Sequence, residues 1–316
     1  MIVTGKLLVS HQCILKKKVI IRQLKFIGSG LTDFGEVMID VNSDKFNVYE
    51  KILSHIKTFK LWDICLLEQI NNTSLDYQFL DSLKITKTKL VDCLIINFKS
   101  DNWEDFFQNI DKNHRKLINK KLRKLERDLI FEVNTYHNKL IPNPLIDEMI
   151  QIHVKRSSSR RQKSKFNDDS GNRFYKKIIK DSVKLGLSKL FTITIEGKVV
   201  AYSYGFIHKK VFYNWNSSFD VDYYNYSLGN LMDAFVMKEA LLSGVKSYNF
   251  MRGRYDYKKR WIRLDEVDNR QSIQHNYLFI ISNENLIGKI ANLYYSKLRE
   301  ILKYYYYKFI NRNFFK

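Results

Sequence analysis

The chain is poor in cysteine, which limits the kinds of site it can contain. Its 316 residues include three cysteines, Cys13, Cys65 and Cys93, with no C-x-x-C pair and no histidine cluster nearby. A disulfide framework or a zinc site needs closely grouped ligands. We therefore predict reduced thiols in a cytoplasmic protein that binds no metal.

Proline and long apolar segments are also scarce. Pro142 and Pro144 are the only prolines, which argues against a proline-rich linker or tail. No apolar run approaches the roughly 20 residues that a membrane-spanning helix needs. Residues 1–18 lack the apolar core of a signal peptide. We expect no membrane span.

Acidic residues are outnumbered, 33 against 54 basic ones, which gives a net charge of +21. Such an excess concentrates anionic ligands near the protein. Phosphate-rich small molecules, nucleic acid and acidic lipid all remain candidate partners. The content of 45% hydrophobic and 14% aromatic residues predicts a folded globular protein.

Residues 211–261 show the most informative pattern. Residues 211–219 alternate as a half-buried strand does, Ser227 stands at an N-cap position, a helical apolar face runs to Gly244, and residues 245–250 predict another strand. The start of this helix offers backbone amides and a positive dipole end, which suit a phosphate. An ordinary helix start inside a mixed sheet fits the same pattern.

Elsewhere, helices and strands alternate, which favours a mixed α/β fold. We predict two domains, residues 1–141 and 142–316, each with a central mixed sheet flanked by helices. The predicted elements are helices over 45–59, 101–129 (strongly basic), 145–161 and 174–185, strands over 19–26, 62–67, 90–98, 190–195, 199–207 and 272–281, and a C-terminal helix over 284–308.

Several short motifs resemble the FemAB-like and CelD-like acyltransferases of the GNAT superfamily. In that family a Ser-Pro-Gly helix start precedes Phe-Asp-Phe-x-x-Gly-x-x-x-Tyr-Lys-x-x-Trp, and here Leu228 replaces the proline and Asn249 the aspartate. The matching segments are Ser227-Leu228-Gly229, Tyr248-Asn249-Phe250-Met251-Arg252-Gly253, and Tyr257-Lys258 with Trp261.

The resemblance implies two GNAT-like domains and an acyl transfer in which an amine attacks a thioester directly. Acyl-CoA is the expected co-substrate. No covalent nucleophile is needed, and the sequence shows no Gly-x-Ser-x-Gly elbow, His-Glu-x-x-His motif or Walker loop. The helix start and the resemblance together assign the donor phosphate to Ser227, Leu228, Gly229 and Asn230. Arg252 and Lys258, just beyond the neighbouring strand, complete the predicted donor set.

The general base stays open among Asp33, Asp256 and His153. Asp33 and His153 lie in segments that resemble Gly-x-x-x-Asp-Tyr and Leu-His-x-x-Arg segments of the family, yet a turn former and a structural histidine fit equally well. We expect the acceptor in a cleft between the domains. The candidate acceptor residues are Arg254, Tyr257, Trp261, Trp215 and Asn214; for Trp261 core packing is the alternative.

The basic surface suits a nucleotide-linked amino sugar, such as a dTDP-sugar for lipopolysaccharide or another surface polysaccharide, as the acceptor. One alternative is a FemAB-type peptidoglycan transferase that uses aminoacyl-tRNA. Another is a non-catalytic nucleic-acid-binding protein that uses the basic segments 112–127 and 155–165. A solvated helix face explains the first of these segments equally well.

Overall fold

The structure is a computed structural model that describes residues 7–14, 19–29, 32–59, 61–164, 166–262 and 273–298. The strands of these residues are, in chain order, β1 (Leu7–Ile14), β2 (Val19–Phe26), β3 (Ile64–Asn71), β4 (Thr86–Lys89), β5 (Cys93–Asn97), β6 (Phe131–Tyr136), β7 (Ser188–Ile195), β8 (Lys198–His208), β9 (Val211–Phe219), β10 (Ser247–Arg252), β11 (Ile273–Gln274) and β12 (Asn276–Ser282).

The helices of the described residues complete the alternation. They are α1 (Lys45–Thr58), α2 (Leu75–Ser82), α3 (Trp103–Asn109), α4 (Lys112–Asp128), α5 (Asn143–Ser159), α6 (Asp169–Lys184), α7 (Leu228–Leu242), α8 (Asp256–Lys259) and α9 (Leu286–Leu293), with a 3₁₀ segment over Val221–Tyr226 and a π turn over Tyr294–Leu298. Residues 299–308 of the predicted C-terminal helix lie outside the described residues.

The strands form two mixed sheets, as predicted. The first has the order β1-β2-β3-β12-β4, and the second has the order β11-β5-β10-β9-β8-β7-β6. The parallel pairs are β2 with β3 and β10 with β9, and the other recorded pairs are antiparallel. The predicted class, mixed α/β with helices flanking two sheets, is confirmed.

The chain divides into two compact units that differ from the predicted domains. One unit comprises residues 1–92 and 274–316, and the other comprises residues 93–273. The predicted boundary at 141/142 falls inside the second unit, because β5 pairs with β10 and β6 pairs with β7. The strand β12 returns to the first unit by pairing with β3 and β4.

In the second unit the sheet is covered on both faces. Strand alternation sends Phe191 and Ile193 into a core with α4 and α7, whereas Leu190 packs with α5 and α6. Helix α7 is buried on nearly all sides, which explains why its sequence is apolar without a wide polar face. Among the described residues, no helix is long and apolar enough to cross a bilayer.

Candidate active site

Strands β9 and β10 pair over only part of their length. The parallel ladder joins Ser247 to Val211, Tyr248 to Phe212, and Asn249 to Tyr213, and then ends. Strand β9 continues to Phe219 and β10 to Arg252. Past the ladder, no pairing between β9 and β10 is recorded among the described residues.

Helix α7 begins just beyond the end of β9. Ser227 is the N-cap residue, as predicted, but it adopts a left-handed conformation (φ 54°, ψ 42°) and makes no side-chain capping bond. Its carbonyl accepts from the amide of Asn230 at 2.9 Å. Because the first amides of a helix lack intrahelical acceptors, that of the half-buried Gly229 is suited to an anion. Leu228 is 0% exposed and packs in the core, so the predicted donor contact at Leu228 is wrong.

The ring of Phe219 contacts both the start of α7 and the guanidinium of Arg156. The Arg156 guanidinium carbon lies 4.1 Å from the ring centroid, and a Cβ atom at Gly229 would lie 3.2 Å from Cδ1 of the same ring. The Nε of Arg156 is buried with no hydrogen-bond partner among the described residues. The amide of Gly229 and this guanidinium are suited to a phosphate group.

Lys258 has a different role from the predicted phosphate contact. Its ammonium, on a residue only 3% exposed, donates to the carbonyls of Phe250, Met251 and Arg252 at 2.7, 3.2 and 2.8 Å. These bonds use the three N–H groups of a lysine. Met251 has φ 59°, and the side chain of Asn249 accepts from its amide at 2.8 Å. Lys258 therefore stabilises the strained turn that ends β10.

Asp233 is a buried carboxyl on α7 that the sequence analysis missed. It is 4% exposed, and burial raises its pKa to about 7, although the charges of Lys258 and Arg156 act in the opposite direction. Burial in turn lowers the pKa of Arg156 to about 10. A carboxyl that titrates near neutral pH is able to accept and release a proton during catalysis. The available signal was a single acid inside the apolar run Leu231–Met237.

Two of the predicted bases are occupied elsewhere. Asp256 is exposed, and its ion pair with Lys259 at 2.9 Å lowers the pKa of its carboxyl, so it is a weak base. His153 has Nδ1 within 2.9 Å of the Ser164 hydroxyl, and its ring packs edge-on against Phe166. These contacts match the structural alternative for His153.

Asp33 is the one predicted base that lies in the first unit. It follows β2, is 9% exposed, and its carbonyl accepts from the Asn276 side chain at 3.2 Å. This contact involves the backbone and leaves the role of the carboxyl untested. Asp33 stays a prediction.

The predicted acceptor residues have unequal environments. Trp261 is 1% exposed in the core and packs edge-on against His114, so it does not contact a substrate. Trp215 packs against Tyr175, Tyr204 and Phe206. Asn214 accepts a hydrogen bond from the Ser203 hydroxyl at 3.0 Å. Tyr257 is exposed and stacked on Tyr255, and Arg254 is also exposed. Arg252, which was predicted to bind the donor, is half-buried.

A family comparison covers most of the second unit. Residues 112–259 match the family described as the acetyltransferase (GNAT) domain. The match begins at the first residue of α4 and ends at the last residue of α8, so it includes Arg156, the start of α7, Asp233 and Lys258. No curated protein sequence matches the chain significantly.

Solved structures with the same fold span nearly the whole chain. L-PGS from Bacillus licheniformis has a TM-score of 0.57 at 10% identity, covering 92% of this chain and 88% of its own. The C-terminal domain of a putative lysylphosphatidylglycerol synthetase from Agrobacterium fabrum has a TM-score of 0.54 at 10% identity, covering 90% and 88%. FemX has a TM-score of 0.55 at 9% identity, covering 81% and 80%.

At these identities the likeness concerns the fold alone. The family match covers less than half of the chain, and it contains the helix start, the turn after β10 and the buried carboxyl within one continuous segment. Residues 112–259 therefore resemble the acetyltransferase (GNAT) domain in sequence, and the chain shares its fold with the solved structures above.

Proposed function

We propose that this chain is an N-acyltransferase that moves an acyl group from an acyl-CoA thioester to the amine of a nucleotide-linked amino sugar. The observation that carries the proposal is the match of residues 112–259 to the GNAT acetyltransferase domain. The cytoplasm, where acyl-CoA and nucleotide sugars coexist, is the proposed location.

The donor binds where α7 begins. The amide of Gly229 holds a phosphate of the donor, and Arg156 supplies a positive charge beside the same Phe219 ring. The extended thioester arm lies along β9 beyond the end of its ladder with β10. Lys258 acts indirectly by holding the turn after Met251.

The reaction is a direct displacement. The amine nitrogen forms a bond to the thioester carbonyl carbon, the carbon–sulfur bond breaks, and coenzyme A leaves as the thiol. The amine must lose a proton before the amide is complete, and we assign its uptake to Asp233, which lies on α7, the same helix whose start binds the donor. This carboxyl has the environment of a base that works at neutral pH, in contrast to Asp256.

The acceptor class rests on charge. A net charge of +21 favours a doubly phosphorylated acceptor over a neutral amine. Release of free thiol, measured with a panel of acyl-CoA donors and nucleotide-linked amino sugars, tests this directly. Turnover is expected with at least one pair and not with the donor alone; absence of turnover with every pair contradicts the proposal.

A single substitution tests the donor site. Gly229→Val places methyl groups against the Phe219 ring, which a Cβ atom alone would approach to 3.2 Å. We expect donor affinity to fall at least tenfold, measured by calorimetry with a non-transferable acyl-CoA analogue, while circular dichroism stays unchanged. Full donor affinity would place the phosphate elsewhere.

An aminoacyl donor is the second candidate. The names of two structures with the same fold, L-PGS and the putative lysylphosphatidylglycerol synthetase, favour it, and each covers about nine-tenths of this chain. Transfer from aminoacyl-tRNA, with no thiol release from any acyl-CoA, would establish this alternative. Filter binding of tRNA across a salt series, without any transfer, would favour a nucleic-acid-binding protein instead.

A further inference from the structure

The first unit contains an apolar cavity that the proposed reaction does not use. It lies between α1, α2 and β3 and has a volume of about 60 Å³. Two of its lining residues carry polar groups, Tyr49 and Asp76. The apolar walls are formed by residues of all three elements, among them Ile52, Leu53, Leu67, Phe79 and Leu80.

Asp76 is the unusual member of this lining. It is 5% exposed, and burial raises the pKa of its carboxyl to about 6. Its hydrogen-bond donors are the Val37 amide at 2.9 Å, the Tyr49 hydroxyl and its own amide. All of these are neutral, and among the described residues Asp76 makes no ion pair.

Asp76 is in the first turn of α2, where the helix start favours a negative charge, and a cation would compensate the carboxylate further. A carboxylate has about four lone-pair directions, and its known donors occupy three of them. The nearby charge of Glu36 adds negative potential. Buried ionised groups are normally paired with an opposite charge, so the chemistry that completes this site is a cation.

We propose that this cavity binds a short primary alkylammonium group, with the ammonium on Asp76 and the carbon chain against the apolar wall. A water-sized group needs about 10–15 Å³ of such space, so the cavity has room for roughly four to six non-hydrogen atoms. The stacked rings of Tyr49 and Phe79, 4.8 Å apart, provide aromatic surface that also attracts a cation.

The probe is butylammonium, which has five non-hydrogen atoms, compared with 1-butanol, which matches it in length without the charge. Calorimetry on the full-length protein at pH 7.5 is expected to show at least tenfold tighter binding of butylammonium. Lowering the pH to 5 protonates a carboxyl with a pKa of about 6 and reduces that affinity about tenfold.

Two variants and a control locate the site. Asp76→Asn is expected to bring butylammonium down to the affinity of 1-butanol. Leu53→Phe fills the cavity while keeping the carboxyl, and it is expected to abolish binding of both. The control is Asp81→Asn, which removes an exposed carboxyl of the same helix that pairs with Lys87 and is expected to keep full affinity.

The outcomes separate clearly. Equal affinity for butylammonium and 1-butanol, binding of neither, or unchanged binding in Leu53→Phe overturns the proposal. Because the measurement needs no acyl donor and no turnover, its failure is independent of the acyltransferase assignment. If Asp76→Asn does not fold, Leu53→Phe and the pH dependence still decide.

Discussion

The two units each bury one carboxyl on a helix, and they compensate it in different ways. Asp76 and Asp233 are 5% and 4% exposed, and burial raises the pKa of both. Asp233 is near the charges of Lys258 and Arg156, whereas Asp76 receives hydrogen bonds from neutral groups. The comparison teaches that similar burial does not imply a similar role.

The difference follows from what a buried charge requires. Cations beside Asp233 oppose the effect of burial on its pKa without cancelling it, so the pKa is raised to about 7, within the segment that matches the GNAT domain family. Neutral donors around Asp76 stabilise the carboxylate less and leave the cavity without a positive charge of its own. We therefore propose proton transfer at Asp233 and cation binding at Asp76.

The largest expected effect is the loss of catalytic activity when Asp233 is replaced. Asp233→Asn is expected to reduce kcat/KM by about 10²–10⁴, because the proton acceptor is lost, and to remove the acidic limb of the pH–rate profile near pH 7. Steady-state kinetics measure both quantities. Asp101→Asn, an exposed carboxyl of the same unit paired with Lys246, serves as control and is expected to keep activity. Wild-type kinetics in Asp233→Asn would remove it from the mechanism.

The pH dependence of stability sharpens the comparison. An acid with a raised folded-state pKa stabilises the native state at low pH, and this stabilisation is lost as the pH rises through that pKa. The pKa rises from 3.8 to about 7 for Asp233 and to about 6 for Asp76. As the pH rises through these values, the free energy of unfolding falls by about 4 and about 3 kcal/mol respectively.

Each asparagine variant therefore gains stability relative to wild type as the pH is raised from 4 to 8. Urea denaturation across this range measures the gain, which is expected to develop up to pH 7 for Asp233→Asn and up to pH 6 for Asp76→Asn. If the free energy of unfolding changed with pH in the same way for wild type and both variants, the assigned titrations would be contradicted.

Removing a cation tests whether Asp233 depends on its neighbours. Lys258→Met leaves three carbonyls without their donor and is expected to lower the free energy of unfolding by about 3 kcal/mol. It is also expected to shift the acidic limb of the pH–rate profile upward, because a positive charge near Asp233 is lost. Lys259→Met is the matched surface control. A loss no larger than that of the control would rule out the positioning role.

The smallest expected effect concerns Asp76, the buried carboxyl of the first unit. Tyr49→Phe removes one hydroxyl donor from Asp76 and is expected to lower the free energy of unfolding by about 1 kcal/mol at pH 8. At pH 4 the effect is expected to shrink, since the protonated carboxyl needs fewer donors. Urea denaturation at both pH values measures it, with the exposed Tyr224→Phe as control. An effect independent of pH would mean that the hydroxyl does not act on Asp76.

Much of the local structure was predictable from the sequence. Period-2 alternation predicted β9, the turns of a meander predicted β7 and β8, and 3.6-residue periodicity predicted α1 and α7 close to their observed limits. The single helix predicted over 101–129 is divided into α3 and α4. The domain boundary was not predictable, because β5, β10 and β12 find their partners across more than a hundred residues. Local patterns carry no information about such pairing.

The site was predicted in part. The start of α7 and the Tyr-Lys-x-x-Trp segment were identified by sequence, but Lys258 and Trp261 turned out to be buried parts of the scaffold. Residue type alone does not distinguish a lysine that binds phosphate from one that holds three carbonyls. Asp233 was missed because an acid in an apolar helix becomes notable only when its burial is known.

The sequence by itself determined the periodicities, the excess of positive charge and the GNAT-type motifs, since each of these is a property of residue order. The tertiary structure alone decided which carboxyls are buried and what faces them. Desolvation and charge proximity depend on three-dimensional packing, and these two effects set the pKa of Asp233 and of Asp76.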